Sequence, residues 1–438
     1  MRTAERVELA ERAAEVLREN DLGNMTAAAP RLYPHMWSWD CALIAVGIAR
    51  MSVSRAIAEM RTLLRSQWRT GMIPHIVFSG NDGYFPGPDR WDAGRAEAAP
   101  ANVLTSGICQ PPVHAIAVRR ILDEGRRRGG AARREAEHFV ATTFDAWFAW
   151  HQWLASARDP DCRGLVEIYH GWESGMDNSP RWDEPYSVVV PGAGLRGFVR
   201  RDVRHVTDAG QRPDDVEYAR YLWLVEQLRS VRYDDAAARD VVDFRVCDVF
   251  ASAALAVASD VLAGIADELR RDDEASRLRK IADRFRDGVL STVCPRTGLA
   301  RDYDRRADRW IPAETVAGFA PLLCGGGNND VLARQREIFW GERWCGHPDL
   351  AFPLPASTSP AAADMRPRAY WRGPVWPFLS WLFGWAFDRD GAERIRTASL
   401  AQLAGGDFGE YYEPFTGGPL GSLNQSWTAA VALDWLAG

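Results

Sequence analysis

Residues 244–269 read FRVCDVFASAALAVASDVLAGIADEL, and residues 273–290, just after them, read DEASRLRKIADRFRDGVL. The first run is apolar on nearly every side, as in a helix buried all round. The second puts Leu278, Ile281, Phe285 and Val289 on one stripe and arginines and aspartates elsewhere, as in a helix with one wet face. The pair predicts two shells, with inner helices covered by outer ones. Outward from this pair, helical periodicity recurs from near residues 5, 40, 55, 111, 133, 215, 313, 329, 375, 391 and 425. No long alternating run argues for a sheet, and short strands or hairpins are expected only near 72–80 and 187–205. About a dozen helices in alternating shells predict an all-α fold, an (α/α)6 barrel, with residues 1–438 forming one domain. A helical-repeat array is the competing architecture, but it would carry a clearer period.

Composition narrows the function classes. The chain has 438 residues, 47% of them hydrophobic, enough for a large core. Its net charge is -6. No basic block suggests nucleic acid or anionic lipid, so neither nucleic acid nor membrane is expected as a partner. Lys280 is the only lysine among 53 basic residues, which is read as a coding bias. The seven cysteines are scattered and odd in number, without a Cys-x-x-Cys pair. This argues against a disulfide scaffold and a zinc site, and for buried free thiols. The N-terminus is charged and helical in pattern, and no run is read as a membrane span, so a soluble cytoplasmic protein is expected. The histidines form no metal-spaced cluster, and there is no phosphate-binding loop or Gly-x-Ser-x-Gly elbow, so no metal or cofactor is expected.

Three loops are unusually long and rich in Gly, Pro and Trp: 67–110, 171–213 and 351–374. Loops of this length in a compact domain tend to be functional, and the first two are expected to form caps or lids over a site. By contrast, EGRRRGGAARREAE, 124–137, reads as a solvated linker between helices. Tryptophan is abundant, with 19 in the chain, and many stand in loops, several beside acids: Trp37 and Trp39, Trp91, Trp172 and Trp182, Trp371 and Trp376. An indole face covers the apolar face of a sugar ring while a neighbouring carboxylate bonds its hydroxyls, so this is a sugar-site composition. The bland alternative is that these indoles plug the end of a helical barrel. Glycoside hydrolysis needs one protonated acid and one carboxylate. Asp177 in GWESGMDNSPRWD and Glu410 or Glu413 in GEYYEPFTGGPLG are candidates; each taken alone reads first as a loop carboxylate paired with arginine, ahead of a catalytic acid. His35, beside Trp37, suits a supporting hydrogen bond.

These loops resemble a known family. ESGMDNSPRWD, 173–183, resembles the ESGWDxSxRW signature of trehalases and family 63 glycoside hydrolases. YWRGPVWP, 370–377, is similar to a second signature of that family. RLYPHMWSWD, 31–40, resembles its N-terminal substrate loop, and GEYYEPFTGGPLGSLNQSWTAA, 409–430, its C-terminal stretch. The short chain and the wording of the last motif look most like the bacterial hydrolases of glucosylglycerate and mannosylglycerate. The resemblance implies an (α/α)6 barrel and inverting hydrolysis of a small α-glycoside to hexose and glycerate. It implies Asp177 as general acid and Glu410 as general base, with Glu413 the rival base. It implies a sugar subsite drawn from Tyr33, Trp37, Trp39, Asp40, Gln110, Trp172, Arg181, Trp371, Arg372 and Trp376. For the glycerate carboxylate it implies Arg212, Tyr218, Tyr370 and Gln425, with Tyr84 closing from a lid. Met176 stands where the signature has an aromatic. Asp40 reads equally as an N-cap of the helix beginning CALIAVGIA, and Arg212 as a surface partner of Asp214 or Asp215. The rival readings are another small α-glucoside or α-mannoside as substrate, a sugar epimerase or polysaccharide lyase, and a sugar-binding protein without turnover. Glucose and mannose differ at one hydroxyl and are not separated here; a homo-oligomer is equally open.

Overall fold

The computed structural model describes residues 1–29, 32–80, 84–204, 208–326 and 329–437. The main helices are α1 (Thr3–Glu19), α2 (Ser38–Met51), α3 (Val53–Leu64), α4 (His114–Arg128), α5 (Gly130–Ala157), α6 (Asp215–Ser230), α7 (Val249–Glu268), α8 (Asp272–Ser291), α9 (Ala320–Cys324), α10 (Asn329–Trp340), α11 (Pro377–Gly384), α12 (Arg389–Gln402) and α13 (Ser426–Ala437). Helices α2, α4, α7, α9, α11 and α13 pack each on the next, and α13 packs back on α2, so the inner ring closes. Their outer partners are α3, α5, α8, α10, α12 and, for α13, the N-terminal α1. This is an (α/α)6 barrel whose last pair is made from the two ends of the chain. The remaining long helix, α6, belongs to neither shell.

The two-shell reading of 244–290 holds in detail. Along α7, from Val249 to Ala266, most side chains are fully buried, whereas α8 buries Leu278, Ile281, Phe285 and Val289 and leaves its charged residues outward. Among the described residues α7 alone is long and apolar enough to cross a membrane, contrary to expectation, but it is the core helix of the ring and mostly buried there. Hydropathy by itself does not separate these two fates.

The stretch 124–137 is not a linker. Helix α4 runs to Arg128 and α5 begins at Gly130, with Gly129 at φ 72° as the whole connection. The arginines that suggested solvation are tethered instead: Arg127 and Arg128 both bond the buried carboxylate of Glu124 at 2.7 Å. The cysteines are all free, and five are buried, but Cys162 is exposed and Cys294 half-buried.

Helices α2, α4 and α13 run in the same direction. Their last turns meet at one end of the ring, where Arg50 of α2 bonds Glu124 of α4 at 2.7 Å and Asp434 of α13 at 2.8 Å. Trp381 of α11 donates to the same Asp434 at 2.9 Å. Their first turns meet at the other end. That end carries short antiparallel pairs: β1 (Met36–Trp37) with β2 (Ile76–Val77), β3 (Val166–Ile168) with β4 (Val246–Asp248) in a four-stranded sheet, and β7 (Tyr411–Tyr412) with β8 (Pro419–Leu420). The sheet is completed by β5 (Tyr303–Asp304) and β6 (Arg309–Trp310). β2 lies within the expected 72–80, whereas the described part of 187–205 has no strand, only a 3-10 turn at Asp202–Arg204. Strands of two or three residues are too short to leave an alternation in the sequence.

Candidate active site

At the strand-bearing end lies a cavity with about 780 Å³ of non-protein space, its open mouth included. Four chain segments supply much of its wall. The first is the loop after β3. Gly171–Ser174 forms a 3-10 turn, and Asp177 stands beyond it. This loop is fixed from behind by Glu173, fully buried, which pairs with Arg158 at 2.8 Å and accepts from the N–H of Tyr169 at 2.7 Å and of Cys109 at 3.3 Å. Glu173 therefore joins the loop carrying Asp177 to the one carrying Gln110. Asp183, the third acid of GWESGMDNSPRWD, lies outside and forms a two-pronged ion pair with Arg372 at 2.7 Å. Of the three acids in that stretch, only Asp177 lines the cavity.

The second segment is the β7–β8 hairpin. The Glu410 N–H donates to the Ser422 carbonyl, and the Ser422 N–H returns to Glu410 Oε2 at 3.1 Å. Gly421 makes this possible: it sits at φ +69°, and a Cβ there would lie 2.6 Å from Tyr411 Cε1 and nearer still to Glu410 Oε2. Glu413 does not line the cavity. Its carboxylate accepts from the N–H groups of Phe415 at 3.1 Å and Thr416 at 2.5 Å and closes its own turn.

The third segment, 32–40, brings Tyr33, Trp37, Trp39 and Asp40 to the wall. Asp40 is not an N-cap. Helix α2 is capped at Trp37, and Asp40 lies inside its first turn with its carboxyl group in the cavity wall. The fourth segment, before and within α6, supplies Asp202, Arg212 and Tyr218. Arg212 is no surface residue. It is buried, stacks on the Tyr370 ring at 4.2 Å, bonds the Tyr33 hydroxyl at 2.7 Å and has Asp202 3.5 Å from its Nε. Asp215 pairs with Arg200 instead, at 3.3 Å.

The two catalytic candidates have unlike surroundings. Tyr33 donates to Glu410 Oε1 at 2.9 Å, and the Tyr370 hydroxyl lies 3.1 Å from that of Tyr33. Arg212 stands 3.9 Å from Glu410. Burial pushes Glu410 up, and the Arg212 charge, the Ser422 N–H and the two tyrosine hydroxyls work against that push. Asp177 bonds no other residue through its side chain among the described residues, only its own backbone N–H. Burial raises it to about 7, opposed by Arg212 and reinforced by the Glu410 charge. Burial, with the charges of Glu410 and Asp177, also holds Asp40 well above the usual carboxylate range.

Asp177, Glu410, Tyr33, Trp37, Trp39, Asp40, Tyr84, Gln110, Trp172, Arg212, Tyr218, Tyr370 and Gln425 all line this one cavity. Four predicted residues do not. Trp371 and Trp376 are buried behind the wall, stacked on each other at 3.7 Å and 3°. Arg181 is buried between Asp302 at 3.1 Å and Asp248 at 3.3 Å, with its other nitrogen donating to Met176 Sδ at 3.2 Å. Arg372 is held outside by Asp183. Each is a buttress whose composition copies that of a binding residue. His35 supports from behind as expected, its ring bonded to Ser79 at 3.0 Å and packed edge-on to Tyr84. Residues 81–83, the tip of the expected lid beside Tyr84, lie outside the described residues.

Sequence reasoning missed Asp202, His75, Tyr221 and Trp427, all in the wall. Trp427 had a signal, since it follows Gln425 by two in the quoted C-terminal motif. Asp202 stood in a charged run, VRRDVRH, that gave no sign of facing inward.

Three comparisons bear on this site. Residues 33–428 match the mannosylglycerate hydrolase MGH1-like glycoside hydrolase domain. The chain is 56% identical to a glucosylglycerate hydrolase from Mycolicibacterium hassiacum over 98% of both proteins. It is 39% identical to a mannosylglycerate hydrolase from Thermus thermophilus, covering 97% of this chain and 99% of the relative. Its fold superposes with a TM-score of 0.87 on the family 63 mannosylglycerate hydrolase of a second Thermus thermophilus strain, solved with Tris and D-glycerate; the two are 36% identical over 98% of this chain and 99% of that one.

Proposed function

The chain belongs to the mannosylglycerate hydrolase MGH1-like glycoside hydrolase family and is a glycoside hydrolase, and from this premise we propose that it cleaves glucosylglycerate, and mannosylglycerate as a second substrate, to hexose and glycerate with inversion. Asp177, protonated, gives its proton to the glycosidic oxygen as the bond to the anomeric carbon breaks. Glu410 takes a proton from a water that attacks that carbon from the opposite face. Glycerate leaves, the hexose carries the inverted configuration, and the two carboxyl groups exchange their proton through solvent. The sugar ring rests between Trp37, Trp39 and Trp172, with Asp40 and Gln110 on its hydroxyls. Arg212, assisted by Tyr218, Tyr370, Gln425 and Tyr84, takes the glycerate. The reading also places the reaction in the cytoplasm and treats the chain as one domain, with 67–110 and 171–213 as caps.

One observation carries this mechanism. Two carboxyl groups share a cavity; among the described residues one bonds no other residue and is raised to about 7, while the other is held by an amide, a hydroxyl and a cation. Such divergence supports Asp177 as the acid and Glu410 as the base. Proton NMR of the protein with each substrate tests it. Early β-hexose is expected from the α-linked substrates. Early α-hexose would mean retention and remove Glu410 as the water-activating base, and binding without hexose release would leave a sugar-binding protein.

A further inference from the structure

Arg212 is the one lysine or arginine in the wall of the cavity, among the described residues, and it serves three acids at once. Its Nη1 lies 3.9 Å from Glu410 Oε1 and also reaches it through Tyr33, which accepts from Arg212 at 2.7 Å and donates to Glu410 at 2.9 Å. Asp202 holds its other edge, and the Arg212 charge also acts on Asp177. The buried Arg212 Nε makes no hydrogen bond among the described residues and faces Asp202 at 3.5 Å. No other cation in the wall can meet the carboxylate of a bound glycerate. An anionic aglycone therefore competes with the two catalytic groups for the same charge.

We infer that Arg212 makes turnover conditional on an anionic aglycone: the substrate's carboxylate neutralises Arg212, so that Asp177 keeps its proton and the ionised Glu410 becomes the stronger base. This rests on the function proposed above. The sign is the same for both groups. A nearby cation favours the ionised carboxylate, and losing it favours the protonated one. In the empty cavity Arg212 pulls Asp177 toward the anion, the wrong form for an acid, and makes Glu410 a weaker base. Neutralising it keeps the proton on Asp177 and strengthens Glu410. The other groups facing Glu410 are Asp40, Asp177 and Ser422 N–H, with the hydroxyls of Tyr33, Tyr370 and Tyr411. Those facing Asp177 are Glu410 and Asp40 and the hydroxyls of Tyr84, Tyr186, Tyr221 and Tyr370. No second cation among them replaces Arg212.

The test compares glucosylglycerate with glucosylglycerol, the same α-glucoside with CH2OH in place of the carboxylate. Profiles of kcat and kcat/KM against pH are recorded for the unaltered protein and for Arg212→Gln and Arg212→Lys. For glucosylglycerate, the kcat bell should sit at higher pH than the kcat/KM bell, because only the former reports the bound complex. For glucosylglycerol the two bells should coincide, and its kcat on the alkaline side should be lower by about tenfold for each roughly one-unit displacement. Arg212→Gln should erase the offset and Arg212→Lys should keep it, which separates lost charge from lost folding. Coincident bells for both substrates, with a difference in KM alone, would overturn the coupling and leave Arg212 a clamp. Absence of hexose from both glucosylglycerate and mannosylglycerate would overturn the proposed function and this inference with it.

Discussion

Gly421→Ala separates the position of Glu410 from its chemistry, because residue 421 contributes no side chain to the cavity. An alanine Cβ would meet Tyr411 Cε1 at 2.6 Å and Glu410 Oε2 more closely still. The Tyr411 ring is buried and cannot yield, so the carboxylate must retreat by about 1 Å to reach ordinary contact. That move breaks the bond from Ser422 N–H and lengthens the one from Tyr33. A misplacement of this size costs about 10²-fold in kcat. Alanine at φ +69° adds about 1–2 kcal/mol of destabilisation. The assay is hexose release, giving kcat and KM, with a thermal melt alongside. Gly384→Ala is the control, since a Cβ there meets nothing within 4 Å. A Gly421→Ala enzyme with near-normal kcat and only a lowered Tm would refute the argument that Glu410 must be held where it is.

Asp177→Ala and Glu410→Ala should each lose at least about 10³-fold in kcat with an unchanged melting curve, whereas Glu413→Gln should stay within a few-fold of normal; a silent Glu410 and a dead Glu413 would exchange their roles. Because Asp177 is held at about 7, kcat/KM should fall as pH rises past that value, where the acid loses its proton; a pH–rate profile flat to pH 9 would contradict its role. Arg181→Met leaves Asp248 and Asp302 buried without their cation and should destabilise the fold by about 3–5 kcal/mol, read as a lowered Tm; full stability with a raised KM would return Arg181 to the substrate.

The fold was legible because burial all round and burial on one face leave different patterns, and α7 with α8 displays both. The site was legible because aromatic and acidic residues on Gly- and Pro-rich turns are hard to explain by packing alone. What remained hidden was depth. Trp37 and Trp376 both stand in aromatic-rich loop motifs, yet one lines the cavity and the other stacks against Trp371 behind it. Arg181 and Arg212 both stand in the long loop 171–213; one neutralises two buried aspartates, the other lines the cavity. Spacing along a chain cannot tell a wall from its buttress when neither belongs to a regular element. The α4–α5 turn was lost for a related reason, since arginines collected by one buried glutamate have the composition of a solvated linker.

The common direction of α2, α4 and α13 has an electrostatic consequence. Each helix carries a partial charge of roughly +0.5 at its N-terminal end, and those ends meet around the cavity where Asp40, Asp177, Asp202 and Glu410 gather about one arginine. The backbone thus supplies part of the positive potential that lets so many acids share one enclosed space. That part is carried by peptide groups and cannot be removed by substitution. Side chains around the aglycone can therefore change, and with them the preferred sugar or acid, while the barrel keeps a place fit for a carboxylate pair.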